Sequence, residues 1–465
     1  MIAEKLKHLF YPASVAVIGA SDNFDKLGYH VMKSLVGSPS VRIYPVNPKA
    51  AKIWDIEAYP SLDDISGEVD LAVVVVPAAQ VPETLHRCGR KRVKGVVLIT
   101  AGFKEIEDAS GEDLQNEIAG IASLYEMPII GPNTFGFVNR TGGVNASFTS
   151  EFSLLEKGGV ALISQSGGVC HLCGFLAIEQ RVGVSALMSL GNRVNVDFPE
   201  ALRFFVEEDG ATRVIALYIE GVAEPRRLLD LARSLSGKKP IIAYKAGRNE
   251  KGDSASRFHT GSLAGSHPVW RGALRQSRIL EVTSVEEMID TAKVLDSCAL
   301  AKGGRIAVLS GQAGPGIIAA DALEAEGLSL ARFSPATQER INAILPPVAI
   351  RTNPVDMGPA WYNPKNMIEI LNAVVDDEAT DGVLFLAIYA SANLGLAAAM
   401  EEYMRKSKPF TKPVVVIFSA PPGIWDEAVR KLDRKKGLAV LPTPERAARA
   451  MRNLWGAHVL FLQPR

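Results

Sequence analysis

Short runs of β-branched and aliphatic residues recur along the chain, each closed by Gly, Pro, Ser or Asn. Each is followed by a stretch with apolar residues at helical spacing. The runs are SVAVIGAS, RIYPVNP, DLAVVVVP, GVVLITAG and MPIIGPN, then GVALISQSGG, VSALMSLGN, VIALYIEG and PIIAYKAG, with GVLFLAIYAS and PVVVIFSAPPG towards the C-terminus. QVPETLHRCGRK is typical of the amphipathic helices between them. Strands that are apolar throughout are covered on both faces, so this alternation predicts an α/β chain of parallel sheets with helices on either side. Ligands of such folds sit at the carboxyl ends of the strands, which makes the strand-end loops the place to look for chemistry.

A repeat divides the pattern further. KGGVALISQSGGV at 157–169 returns as KGGRIAVLSGQAGPGI at 302–317: a lysine and two glycines, a strand, and a Ser/Gln/Gly turn into a helix. Each copy opens a new α/β unit, and the predicted domains are 1–145, 146–298 and 299–465. With 465 residues, each of the three is large enough to bury its own core.

Composition narrows the function. Lys plus Arg and Asp plus Glu both total 51, so there is no basic excess of the kind that draws nucleic acid or anionic membrane surfaces. No uncharged apolar run reaches the ~18 residues of a membrane span. MIAEKLKHLFYPASVAVIGA carries charges in its first turn and no cleavage-type site, so a cytoplasmic protein is expected. Cys88, Cys170, Cys173 and Cys298 are too few and scattered for a disulfide framework. CHLC could be redox-active or half a metal site, but no second pair exists and the stretch runs on as CGFLAIEQ. Helix packing is the preferred reading, and no metal site is expected.

In the first domain VAVIGASDNFDKLG has the glycine of a nucleotide-binding first turn, but after Gly19 the next glycine is only at Gly28, so the dinucleotide fingerprint fails. The turn alone fits either a bound nucleotide or a tight strand-to-helix connection. Several strand ends nevertheless offer small residues and free amides to one long phosphorylated cofactor: Gly19, Ala20 and Ser21 with Lys26, then Asn47 and Pro48, Val76 and Pro77, Thr100, Ala101 and Gly102, and Asn133. GRNEKGDS has the glycine spacing of a P-loop but Asp253 where lysine is required, and the zinc-protease and nucleophile-elbow patterns are absent.

The second domain offers two helix starts suited to an anion, the amides of Ser166, Gly167 and Gly168 and those of Thr260, Gly261 and Ser262. Between them stands His259, a nucleophile near neutral pH that could carry a phosphoryl group, or else a loop histidine that caps a helix. Glu220 in YIEG could hold one nitrogen of that ring, or simply be a strand-end acid facing water.

GASD, GPNTFG, SQSGG, YIEG and HTGSLAG, in that order, with SGQAGPG and NPVDMG in the third domain, resemble the α subunits of NDP-forming acyl-CoA synthetases, relatives of succinyl-CoA synthetase. The resemblance spans essentially the whole chain. It implies a Rossmann-like domain that binds coenzyme A at the strand ends above, followed by two flavodoxin-like parallel-sheet domains. It further implies a phosphohistidine at His259 supported by Glu220, and an acid–thiol ligase that converts acyl-CoA, phosphate and ADP to a small acid, CoA and ATP. ADP/ATP and Mg2+ would sit on an ATP-grasp β subunit in an α2β2 heterotetramer. Three departures stand out: Thr134 where relatives carry cysteine, Val194 and Asn195 where small and acidic residues are common, and Gly311 with Gln312 in the third-domain turn. The alternative is a non-catalytic CoA-binding regulatory or scaffold protein of the same superfamily; His259, Glu220 and both Gly-rich helix starts favour catalysis.

Overall fold

The computed structural model describes residues 2–38, 41–106, 108–248 and 266–461. His259, Thr260, Gly261 and Ser262 lie outside the described residues. Two compact units are present, Met1–Val285 and Glu286–Arg465. No helix among the described residues is long and apolar enough to cross a membrane.

The first unit holds two large sheets. Strands β1 (Ser14–Ile18) and β2 (Arg42–Val46) are followed by a small antiparallel pair, β3 (Lys52–Ile53) and β4 (Ile56–Glu57), and then by β5 (Leu71–Val74), β6 (Gly95–Leu98) and β7 (Ile129–Ile130). The five-stranded sheet is parallel throughout, in the order β2-β1-β5-β6-β7. Every residue of β1, β5 and β6 is buried, which is why these strands read as unbroken apolar runs. Helices α1 (Ile2–Phe10), α2 (Leu27–Val36), α3 (Val81–Arg90) and α4 (Ala109–Leu124) accompany them.

The seven-stranded second sheet comprises β8 (Gly136–Asn139), β9 (Val144–Ser147), β10 (Glu156–Ser164), β11 (Gly183–Ser189), β12 (Val214–Ile219), β13 (Ile241–Lys245) and β14 (Leu280–Val282). Its order is β14-β13-β12-β10-β11-β8-β9, parallel except for the hairpin β8–β9. This hairpin moves the predicted domain division. Residue 145 falls inside β9, and β8 pairs antiparallel with β11, so the segment belongs to the second sheet. FGFVNRTGGVNASF has too many polar residues to resemble the parallel strands, although Gly142–Gly143 is a hairpin signal.

The second unit has one six-stranded parallel sheet of β15 (Arg305–Ser310), β16 (Ser329–Leu330), β17 (Val355–Asp356), β18 (Gly382–Ile388), β19 (Val414–Ser419) and β20 (Leu438–Val440). The helix Val285–Ser297 contributes buried charges that are all paired within this unit: Glu287 with Arg452, Asp290 with Arg446 and Lys293 with Asp433. Breaking such buried pairs is expensive. The contacts accordingly divide the chain after Val285, the first residue of this helix, whereas the sequence pattern places its boundary at residue 298.

One strand order serves all three sheets. The opening strand β1, β10 or β15 lies between the strand that follows it, β2, β11 or β16, and a later one, β5, β12 or β18, beyond which the sheet continues outward in chain order. The sequence repeat is a structural repeat at the level of single atoms. The Ser164 hydroxyl donates to the Ser166 carbonyl at 2.7 Å, and the Ser310 hydroxyl to that of Gln312 at 2.6 Å. The Gln165 amide bonds the Tyr218 carbonyl at 3.1 Å, and the Gly311 amide bonds that of Leu386 at 2.9 Å.

Gly28 explains the broken fingerprint of the first turn. A Cβ there would lie 2.0 Å from the Gly19 carbonyl oxygen, so Gly28 is the residue that lets α2 pack on the end of β1 across an elongated loop. Gly28→Ala should destabilise the first unit by about 1–3 kcal/mol, the scale of overpacking. Gly120→Ala on α4, where a Cβ meets nothing within 4 Å, should be neutral or stabilising by about 0.5–1 kcal/mol. Paired thermal melts measure the contrast.

Candidate functional site

The site starts where β10 ends. Ser166 caps the 13-residue helix α5 (Gly167–Glu179), its hydroxyl accepting from the Val169 amide at 3.4 Å. The first amides of a helix have no partner within it and carry the positive end of its dipole. No acidic side chain occupies the first turn of α5. A Cβ on Gly167 or Gly168 would approach its nearest neighbour only to 3.8 and 4.0 Å. Neither has a positive φ, so neither packing nor backbone requires glycine there. What the two glycines leave is an unobstructed path to the amides.

Gln165 ties this turn to its neighbour. Its side-chain oxygen accepts from the amides of Glu220 and Gly221, both at 3.0 Å, joining the end of β10 to the end of β12. From the other side the Lys245 ammonium, 2% exposed as a residue, donates to the carbonyls of Glu220 and Ala246 at 2.7 and 2.6 Å. Glu220 is 8% exposed, and burial followed by its charge raises the Tyr218 phenol above its usual range.

Gln165, Glu220 and the start of α5 line a cavity of about 430 Å³ within the first unit. Of the residues expected to bind ligands, Ala101, Asn133, Ser166, Gly167, Gly168 and Glu220 line it. Gly19, Ala20, Ser21, Lys26, Asn47, Pro48, Val76, Pro77, Thr100 and Gly102 stand at the carboxyl ends of the first sheet but outside this lining. Several of their polar groups bind one another. The Asn47 amide nitrogen donates to the Ala20 carbonyl at 2.7 Å, the Thr100 hydroxyl to that of Val76 at 2.7 Å, and the Gly102 amide to the Glu105 carboxylate at 2.6 Å. Thr100 and Gly102 thus shape the rim rather than present free donors. Burial pushes the Glu105 carboxyl up, but hydrogen bonds from Gly102, Asn192 and Phe103 outweigh it and hold the group below the usual carboxylate range.

The departures noted in the sequence are structural ties. The Thr134 hydroxyl donates to the Ser189 carbonyl at 2.6 Å and accepts from the Gly136 amide at 3.0 Å, work that a thiol would do poorly. Asn195 exchanges hydrogen bonds with the main chain of Met127 and Ile129, 2.8 Å each, which fastens the loop after β11 to the edge of the first sheet. In the third domain a Cβ on Gly311 would lie 2.7 Å from the Trp361 indole nitrogen, so glycine there seats a tryptophan.

Cys170 and Cys173 are buried on α5, as expected of helix packing, and burial pushes both thiols up, Cys173 to about 12. Of the two residues between them, the histidine carries a role that the sequence pattern does not bring out. His171 lines the cavity, with Nδ1 3.0 Å from the Gly167 carbonyl and Nε2 2.8 Å from the Thr149 hydroxyl, among the rings of Phe135, Phe148 and Phe152. Its spacing of four residues from Gly167, one helical turn, is the signal that places it beside the helix start. Gly168→Ala should leave the melting temperature equal or higher, because alanine favours the helix by up to about 1 kcal/mol, yet weaken phosphate binding about tenfold or more by covering the amides. Calorimetry beside a thermal melt separates the two effects.

Residues 13–140 match the family model described as a CoA binding domain, and residues 157–295 that of a succinyl-CoA ligase-like flavodoxin domain. The chain is 37% identical over 453 residues to the acetate–CoA ligase [ADP-forming] II subunit alpha of Pyrococcus furiosus, covering 96% of each. It is 36% identical to the acetate–CoA ligase [ADP-forming] of Methanocaldococcus jannaschii, a longer protein of which it spans 63%. Among solved structures, the dinucleotide-forming acetyl-coenzyme A synthetase 1 of Ca. Korarchaeum cryptofilum, in complex with phosphate and ADP, superposes with a TM-score of 0.88 at 32% identity, covering 99% of both chains. With the CoA-domain and ligase-domain sheets in one unit and this match running end to end, the chain belongs to the family of ADP-forming acetate–CoA ligase α subunits, which are acid–thiol ligases.

Proposed function

We propose that this chain carries the acyl-transfer and phosphohistidine half of an ADP-forming acyl-CoA synthetase, in which acyl-CoA, phosphate and ADP interconvert with acid, CoA and ATP. The observation that carries this reading is the single cavity where the open helix start at Ser166–Gly168, the buried Glu220 and the strand-end residues Ala101 and Asn133 of the CoA-domain sheet converge. A thioester held from the first sheet would bring its carbonyl to an anion at the second. Phosphate attacks that carbon, the C–O bond forms, and the C–S bond breaks. CoA leaves as thiolate, and an acyl phosphate remains at the helix start. His259 then attacks phosphorus and the carboxylate leaves, with Glu220 orienting the imidazole. Fixed backbone donors stabilise the phosphoryl charge without reorganising, the efficient form of electrostatic catalysis.

Relatives named as α subunits support a partner chain, and a Korarchaeum relative that binds ADP and phosphate supports nucleotide chemistry in the same assembly. We assign ADP/ATP and Mg2+ to an ATP-grasp β subunit in an α2β2 heterotetramer. The four free cysteines suit the reducing cytoplasm.

The chain should bind CoA and not NAD in calorimetric titration, and micromolar NAD affinity without CoA affinity would overturn the assignment. Incubation with labelled acyl phosphate should give an acid-labile, base-stable label that His259→Ala abolishes together with turnover. Glu220→Gln should slow its formation by about 100-fold, the scale of a lost acid–base group. A label that persists in His259→Ala, or that maps to Asp or Ser, sinks the phosphohistidine step.

A further inference from the structure

One cation in the cavity wall has more donors than described partners. Arg193 follows β11, with its side chain 7% exposed. Among the described residues its hydrogen bonds all run through Nη1, to the Asp197 carboxylate at 3.3 and 3.5 Å and to the Gly221 carbonyl at 2.8 Å. Among the described residues its buried Nε has no hydrogen-bond partner. The pairing with Asp197 is a single-nitrogen contact rather than the two parallel bonds a guanidinium makes best. Asp197 is also shared, because it caps α6 (Phe198–Arg203) by accepting from the Phe198 amide at 2.7 Å. A second unpartnered atom lies close by: Oγ of Ser189, fully buried, stands 3.8 Å from where a Cβ on Gly167 would be. A buried guanidinium with unfilled donors is costly unless something anionic completes it.

We propose that Arg193 binds the phosphoryl oxygens of the acyl phosphate, and of the phosphate that forms it, opposite the amides of Ser166–Gly168. The arginine and the α5 start line the same cavity, and the Gly221 carbonyl that orients Nη1 directly follows Glu220. The planar fork supplies two donors to a dianion that the helix start meets from another side. Arg193 holds this position at φ +63°, a left-handed conformation that glycine adopts more easily. The assignment rests on the acyl-phosphate chemistry proposed above, and its test is built to fail separately.

The full chain and its Arg193→Ala, Arg193→Gly and Arg193→Lys variants are titrated calorimetrically with acetyl phosphate, inorganic phosphate, acetate and CoA, and are then incubated with labelled acetyl phosphate. Arg193→Ala and Arg193→Gly should weaken both phosphates about tenfold or more, the loss expected of a charge-assisted pair. Acetate and CoA affinities should be unchanged, and the glycine variant, relieved of the left-handed backbone, should melt no lower than the alanine variant. Arg193→Lys should recover part of the affinity as a point charge. Labelling should slow at low acetyl phosphate and recover at saturation. The proposal is overturned if both phosphates bind the alanine and glycine variants as they bind wild type, if only acetate is lost, if CoA weakens in parallel, or if wild type binds neither phosphate. Wild type that binds acetyl phosphate but takes no label removes the phosphohistidine step and leaves Arg193 in place. Equal labelling and binding in wild type and Arg193→Ala does the reverse.

Discussion

A parallel sheet whose strand order reverses must send its connections to opposite faces on either side of the reversal, and the strand ends there diverge. The geometry of the first unit follows from that constraint at β10. The gap between the ends of β10 and β12 is bridged by one carboxamide, Gln165, whose oxygen satisfies two main-chain amides at once. The bridge fixes where the Glu220 backbone runs, and Lys245 fixes it from behind. Gln165 thus turns its carboxamide oxygen to β12 and away from the start of α5.

The same constraint at β15 meets a different solution. The serine that locks the turn is retained, but Gly311 replaces the bridging glutamine and the indole of Trp361 packs against it. One copy of the repeat thus invests its strand-end gap in polar donors around a cavity, while the other fills it with an aromatic ring. The two turns look alike in sequence because the strand, the serine and the helix start are what the fold itself demands.

Much of this was legible before any coordinates. Strands buried on both faces leave unbroken apolar runs, and an uncrowded helix start leaves serine and glycine at the strand end; both signals are local. The less legible parts depend on partners far along the chain. The hairpin β8–β9 carries buried polar side chains that hydrogen-bond distant main chain, Asn139 to Phe10, or their own turn, Asn145 to Thr149, so its residues do not read as strands. Gly28 serves a turn whose other glycine lies beyond the reach of the usual spacing. His171 was masked by the cysteines on either side. Arg193 carries no signal of its own, since nothing in NRVNVD reveals that its guanidinium is buried, or that Asn195 pins the loop to β7.

The hairpin also bears on how the second sheet avoids pairing with other chains. Without it, β11 would end the sheet beside the site-bearing strand as a long apolar edge, a template for pairing with other chains. β8 covers that edge and β9 covers β8. The outward amide of Asn145 in β9 is taken by the hydroxyl of Ser38, just past the end of α2 in the preceding sheet's layer. The layer of α2 therefore guards the outer edge of the neighbouring sheet. Separating the two domains at a loop would unmask an adhesive border as well as halve a cavity, and aggregation would be the first symptom.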